Sequence, residues 1–208
     1  MMGDRPYIIA IAGGIGCGKS VVSHVVSAMG YPVYDCDSNA KLLMDGSDSI
    51  KASIADSISS ACIKGGAIDR ATLAEIVFND AEKLTCLNTI VHTAVREHIM
   101  SWINDNAQRA HDICFIETAI LYQSGLDSAV NEVWTVDAPL ELRITRVMQR
   151  NGVSRDNVLS RILSQDSFVP ASLHPHSVII INDGNTPLLP RIEQLLDSVD
   201  RNFGNISC

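Results

Sequence analysis

The 208-residue sequence has no apolar run approaching the ~18 residues that a membrane-spanning helix requires. Its first residues carry neither the basic stretch nor the small-residue cleavage pattern of a secretory leader, so a cytoplasmic protein with no membrane partner is expected. The cysteines, Cys17, Cys36, Cys62, Cys86, Cys114 and Cys208, include no C-x-x-C pair. That argues against a zinc site and a secreted disulfide scaffold, and leaves reduced, mostly buried thiols as the expectation. Positive charge is scarce as well: 16 Lys and Arg against 24 Asp and Glu give a net charge of −8. No nucleic-acid partner is expected, because a phosphate backbone demands clustered cations. An anionic ligand must therefore meet a local cationic site, and arginine concentrates in one place, at Arg143, Arg146, Arg150, Arg155 and Arg161. There is no internal repeat and no low-complexity tract, and the sequence does not set the oligomeric state, of which a monomer is one option.

What is present begins with an apolar content of 46%, enough for one sizeable core with a smaller inserted lobe. The run Tyr7-Ile8-Ile9-Ala10-Ile11-Ala12 reads as a strand and leads into Gly13-Gly14-Ile15-Gly16-Cys17-Gly18-Lys19-Ser20. This is G-x-x-x-x-G-K-S, the loop that wraps nucleotide phosphates, in the strand–loop–helix setting that the motif requires. Its glycines let the backbone turn N–H groups inward on one anion at the start of a helix whose dipole adds positive potential. Lys19 would reach the β and γ phosphates, and Ser20 would offer its hydroxyl to a Mg2+ ion bridging them. Cys17 reads as a small loop residue, placed where positive potential can lower a thiol pKa. Val21, Val22, Val25, Val26 and Met29 recur at helical steps and should pack on a sheet, with Gly30 as the stop.

Further β-rich runs at Tyr31–Asp35, Ile113–Glu117, Glu132–Asp137 and Ser177–Asn182 alternate with helical material, which predicts an α/β fold with a five-stranded parallel sheet flanked by helices. The loops after the strands should share one edge, and the ligand site should lie there. The ~75 residues between the second and third strands exceed one crossover, and helices are expected near Ser38–Met44, Ser49–Ile58, Arg70–Phe78, Ala81–Thr85 and Leu87–Asn106. The turn from Lys64 to Asp69 breaks this stretch, with Asp69 as a helix cap. Pro139 opens a helix that Asn151-Gly152 ends, before another from Ser154 to Gln165. Arg143, Arg146 and Arg150 share a face of the first, either a solvated surface or a lid that folds over triphosphate. The chain is thus read as one domain: a nucleotide-binding core (about 1–37, 111–138 and 175–208), a helical lobe (about 38–110) and a lid (about 139–168).

The second strand ends in Tyr34-Asp35-Cys36-Asp37, two carboxylates delivered to the sheet edge. One carboxylate can orient an acceptor hydroxyl and take its proton while another holds metal-bound water; the alternative is a pair of turn or N-cap aspartates.

Taken together, the phosphate loop, Asp35-Cys36-Asp37-Ser38-Asn39-Ala40-Lys41, Ala67–Leu73, Ile76–Asp80, Leu87–His92, Ile120–Asp127, Arg146–Gln165 and Asn182-Asp183-Gly184 resemble the dephospho-coenzyme A kinase family across nearly the whole chain. The resemblance implies a P-loop NTPase fold and transfer of the ATP γ-phosphoryl group to the ribose 3′-hydroxyl of dephospho-CoA, the last step of CoA synthesis. Carried onto matching positions, Gly14, Ile15, Gly16, Cys17, Gly18, Lys19, Ser20 and Val21 would bind ATP and Mg2+. Asp37 would be the base, Asp35 would support metal or water, and Arg146 and Arg150 would be lid arginines. Asn182 and Gly184 would lie near the adenine. The acceptor would meet Lys41, Arg70, Leu87, Asn88 and His92, with Leu121 in an apolar part of the pocket; His92 reads equally as a half-buried side chain.

Several positions depart from the family pattern. Lys41 stands where arginine is common, Val21 where threonine is, and Thr93 follows His92 where proline is usual. Glu117, Ala119 and Gln123 replace an Asp, Pro and Glu pattern, and His176-Ser177 replaces Ala-Asp. The loop lysine, paired aspartates and lid arginines remain, so activity is expected. A regulatory GTPase would share the loop, but no N-K-x-D motif is present. Another small-molecule kinase, or an ATP-binding module without catalysis, also fits the loop alone.

Overall fold

A computed structural model describes residues 5–109, 111–166, 170 and 172–204 of the chain. Strand β1 (Tyr7–Ala12) leads through the glycine loop to α1 (Lys19–Ala28) and then β2 (Val33–Asp35). Next come α2 (Cys36–Gly46), α3 (Asp48–Ser57), a short hairpin of β3 (Ile63–Lys64) and β4 (Ala67–Ile68), α4 (Arg70–Phe78) and α5 (Ala81–Gln108). The chain continues with β5 (Ile113–Glu117), β6 (Glu132–Asp137), α6 (Leu140–Asn151), α7 (Arg155–Asp166), β7 (Ser177–Ile181) and α8 (Leu188–Gly204).

The main sheet has the order β2-β5-β1-β6-β7, and the β1–β5, β1–β6 and β6–β7 ladders are parallel, as the alternation of strands and helices predicted. β1 is its middle strand, and Ile8 to Ala12 are all buried, which is why its sequence is apolar throughout rather than alternating. Ile9 and Ile11 pack with Phe115, Trp134 and Val136 and with Val22 and Val26 of α1 and Ile192, Leu195, Leu196 and Val199 of α8. In α1 only Val22, Ser23 and Val26 are buried; Val21 and Met29 are exposed, because a narrow stripe of this short helix meets the core. Connections diverge to either side of β1, so its C-terminal end is the switch point at which ligands of such sheets bind.

Two compact units divide the chain, residues 1–33 with 110–208, and residues 34–109; the division falls within β2. The second unit is helical and has its own core of Ile50, Ile54, Ile58, Cys62, Leu73 and Val77, against which Leu87, Ile90 and Ala94 pack. Its helix starts are written in the sequence. Asp35 caps α2, Ser47 caps α3, Asp69 caps α4 and Asp80 caps α5, each side chain accepting hydrogen bonds from exposed first-turn N–H groups. The two helices expected at 81–85 and 87–106 are one, α5, 28 residues long. Neither glycine nor proline interrupts it, and Leu87, Ile90 and Ala94 continue one buried stripe toward Val95, Ile99 and Ile103.

Cys17, Cys36, Cys62 and Cys114 are buried thiols and Cys86 is partly buried, whereas Cys208 lies outside the described residues. Among the described residues no helix is long and apolar enough to cross a membrane.

Candidate active site

The loop 13–18 joins β1 to α1 at the switch point. Gly18, the residue before α1, is in the left-handed region, and α1 has neither a side-chain cap nor an acidic residue in its first turn. No side chain caps the start of the helix, and the positive end of its dipole is uncompensated, which is the preparation an anion site needs. Gly16 is obligatory: its φ is +81°, and an added Cβ would come within 2.6 Å of the Arg143 carbonyl oxygen.

A cleft opens beside this loop, walled by Gly16, Gly18, Lys19, Ser20, Val21, Arg146, Val147 and Arg150. Three cations thus face one hollow in a chain of net charge −8. Lys19 Nζ donates to the Gly14 carbonyl at 3.4 Å. The Ser20 hydroxyl donates to Oε1 of Glu117 at 2.9 Å, which joins the first turn of α1 to the end of β5. Glu117 appears in the sequence only as a departure from a family pattern; the pairing with Ser20 spans 97 residues and has no local signature.

Arg146 and Asn182 brace the loop from the other side. Asn182 is buried after β7, and its amide nitrogen donates to the Cys17 carbonyl at 2.9 Å. Arg146 donates to the Asn182 carbonyl at 3.1 Å and to its side-chain oxygen at 3.3 Å. Gly184 lies exposed in the following turn, where Asp183 accepts from the N–H groups of Asn185 and Thr186. Arg150 is exposed and donates to Asn151. Arg143 does not share a lid face with them: it is 8% exposed, and its Nε donates to the Ile15 carbonyl. The helical spacing of the three arginines is real, but Arg143 lies where α6 meets the loop. Nor is Cys17 activated; burial pushes its thiol pKa up, despite the opposing charges of Arg143 and Lys19.

A second cleft of the same unit is walled by Gly13, Gly14, Leu121, Tyr122, Gln123 and Gln165, among others. Leu121 is buried and thus supports that wall rather than protruding from it.

The remaining candidates lie in the helical unit. One carboxylate oxygen of Asp35 accepts from the N–H groups of Asp37 and Ser38, and the other from the Ser38 hydroxyl at 2.5 Å, so the N-cap reading holds for Asp35. Asp37 is exposed in the first turn that this cap stabilises. Lys41 is exposed one turn further along α2. Arg70, at the start of α4, pairs with Asp45 at 2.7 Å. On α5, Asn88 is exposed, while Leu87 packs against the helical core. His92 is half-buried, and burial, with Arg96 nearby, lowers its pKa and favours a neutral ring.

Residues 7–187 match the family described as CoaE, dephospho-CoA kinase. The chain belongs to the dephospho-CoA kinase family. It is accordingly a phosphotransferase for which dephospho-CoA is the alcohol acceptor and ATP the phosphate source. A dephospho-CoA kinase of Bacteroides fragilis is 37% identical over 188 residues, 90% of each chain. One of Porphyromonas gingivalis is 35% identical over 191 residues, 92% of this chain and 93% of that one. The fold is shared with a crystal structure of TT1252 from Thermus thermophilus, 31% identical with a TM-score of 0.74 over 96% of this chain and 98% of that one. A dephospho-CoA kinase needs a triphosphate site and an acceptor site.

Proposed function

We propose that the cleft beside the phosphate loop holds ATP for phosphorylation of the 3′-hydroxyl of dephospho-CoA, and that the enzyme acts in the cytoplasm. The observation that carries this reading is the convergence of Lys19, Arg146 and Arg150 on a hollow floored by the uncapped start of α1. Phosphoryl transfer needs charge neutralisation and alignment more than covalent chemistry from the protein, and this arrangement provides both. The N–H groups of Gly16, Gly18 and Ser20 take the phosphates, Lys19 lies against the β and γ groups, and Arg146 and Arg150 neutralise charge that builds on the transferring group. Gly184 and the buried Asn182 form the adenine side of the site.

Asp37 takes the proton of the attacking hydroxyl, and Asp35 holds the turn that presents it. Lys41, Arg70, Asn88 and His92 contact the acceptor, as their matching positions do in the resemblance, while Leu87 supports them from the core. Leu121 and Tyr122 line the acceptor's apolar wall.

Mg2+ fits Ser20 and Glu117, two hard oxygen donors at 2.9 Å from one another. Among the described residues no cluster of three or more His, Cys, Asp or Glu forms a cage. Mg2+ keeps several waters and takes one or two protein oxygens plus phosphate. Ser20 and Glu117 would hold the ion, which would supply positive charge against that of the phosphates. Glu117→Gln is expected to raise the Mg2+ concentration for half-maximal rate by about tenfold, the usual cost of losing a metal-supporting carboxylate. An unchanged Mg2+ titration removes Glu117 from this role.

The reading is tested by supplying purified protein with ATP and Mg2+ and, separately, dephospho-CoA, a nucleoside or shikimate, with ADP release and product mass as readouts. CoA is the expected product. Release of ADP only with another acceptor would reassign the substrate.

A further inference from the structure

The sequence places Arg143 on a lid and gives Gln165 no role, yet both side chains seize the same residue of the phosphate loop. The Ile15 N–H donates to Oε1 of Gln165 at 2.8 Å, and the Ile15 carbonyl accepts from Nε of Arg143 at 3.0 Å. Between these bonds the Ile15 side chain packs against Ile144, Val147, Val158 and Ile162, the apolar seam where α6 and α7 meet. Close approach is built in at Gly14, where an added Cβ would fall 2.3 Å from Nη2 of Arg143.

Two successive peptide groups are pinned by this arrangement. In the Gly14–Ile15 peptide, Gln165 holds the N–H, while the carbonyl accepts from Cys17 N–H and from Lys19. In the Ile15–Gly16 peptide, Arg143 holds the carbonyl; because the peptide is trans, the Gly16 N–H must point away from Arg143. A flip of either peptide would reverse an N–H and a carbonyl oxygen in a loop whose task is to present N–H groups to an anion. We infer that Arg143 and Gln165 are positioning residues that lock these peptides in the nucleotide-binding orientation, so that the α6–α7 hairpin builds the phosphate site through Ile15 besides covering it. The benefit is pre-organisation: the ordering of the loop is completed before ATP arrives rather than during binding.

This inference rests on the loop being the ATP site, and its test needs no acceptor. The affinity of Mg2+·ADP is measured by calorimetry for Gln165→Leu, Gln165→Glu and Arg143→Met. Gln165→Leu keeps bulk but strands the part-buried Ile15 N–H, and is expected to weaken ADP about tenfold, within the range for loss of a partner to one such N–H. Gln165→Glu retains an acceptor oxygen and is expected to stay within about threefold of the parent. Arg143→Met is expected to weaken ADP at least as much as Gln165→Leu. Hydrogen exchange should report faster exchange at the Ile15 amide in Gln165→Leu, with β1 and α6 unchanged. ADP affinity within twofold of the parent for Gln165→Leu, or equal losses in the Leu and Glu variants, would overturn the proposal in favour of mere packing. If Arg143→Met fails to fold, the Gln165 pair, at the half-buried end of α7, still decides between these outcomes.

Discussion

Lys19→Ala is expected to lower kcat/KM for ATP on the order of 10³-fold, the upper range for removing one pre-organised charge donor from a transition state. Lys19 is the first residue of α1, and its ammonium reaches back over the loop to the Gly14 carbonyl, so it stands in the path of phosphates seated on the loop. The loss should exceed that for any single loop N–H, because an ammonium cancels a full charge while an amide contributes a fraction of one. Water cannot replace it well, since bulk solvent would have to reorganise as charge builds on the β,γ-bridging oxygen of the departing ADP. Steady-state kinetics at saturating dephospho-CoA measure the effect. Lys19 is only partly buried and lies outside the apolar clusters, so the melting temperature should hardly change. A loss below tenfold with intact folding would remove Lys19 from the transition state.

For Asp37→Asn the expected result is a fall in kcat of about 10²- to 10⁴-fold, the range for loss of a general base, with ADP affinity unaltered. The substitution keeps size and a hydrogen-bond acceptor but removes the capacity to take a proton. The local structure supports so specific a reading. The Asp35 carboxylate is occupied by the Asp37 and Ser38 N–H groups and the Ser38 hydroxyl, which leaves Asp37, exposed in the same turn, as the carboxylate not committed to capping. Asp35→Asn should be far milder, because asparagine caps a helix about as well as aspartate. Single-turnover rates with preformed ATP complex distinguish the two. Equal losses in both variants would assign Asp37 to the architecture of the turn instead.

These two expectations differ in how far the sequence alone supports them. Lys19 follows from spacing: six residues after Gly13, at the start of a helix and after an apolar strand, a lysine has one plausible office. From sequence alone the paired aspartates fit capping or catalysis, and the hydrogen bonds of Asp35 show that it caps α2, whereas the role of Asp37 as base is our proposal. Arg143 is buried against the loop instead of facing solvent with Arg150. Three arginines at helical spacing do share a side of α6, but which part of that side meets protein depends on an element more than a hundred residues away. Likewise nothing local distinguishes Gln165 from any other polar residue at a helix end; its partner is 150 positions earlier.

By itself, then, the sequence determined the five strands of the main sheet, the caps at Asp69 and Gly152, the phosphate loop and the family, because each depends on residues a few positions apart whose backbone geometry or periodicity is local. The unbroken α5, the Ser20–Glu117 pair, the Asn182 brace and the grip of Arg143 and Gln165 on Ile15 were decided only by the tertiary structure. In three of these the chemistry lies between groups that meet through sheet pairing and helix packing, and in α5 a continuous buried stripe, rather than propensity at Cys86, carried the helix through.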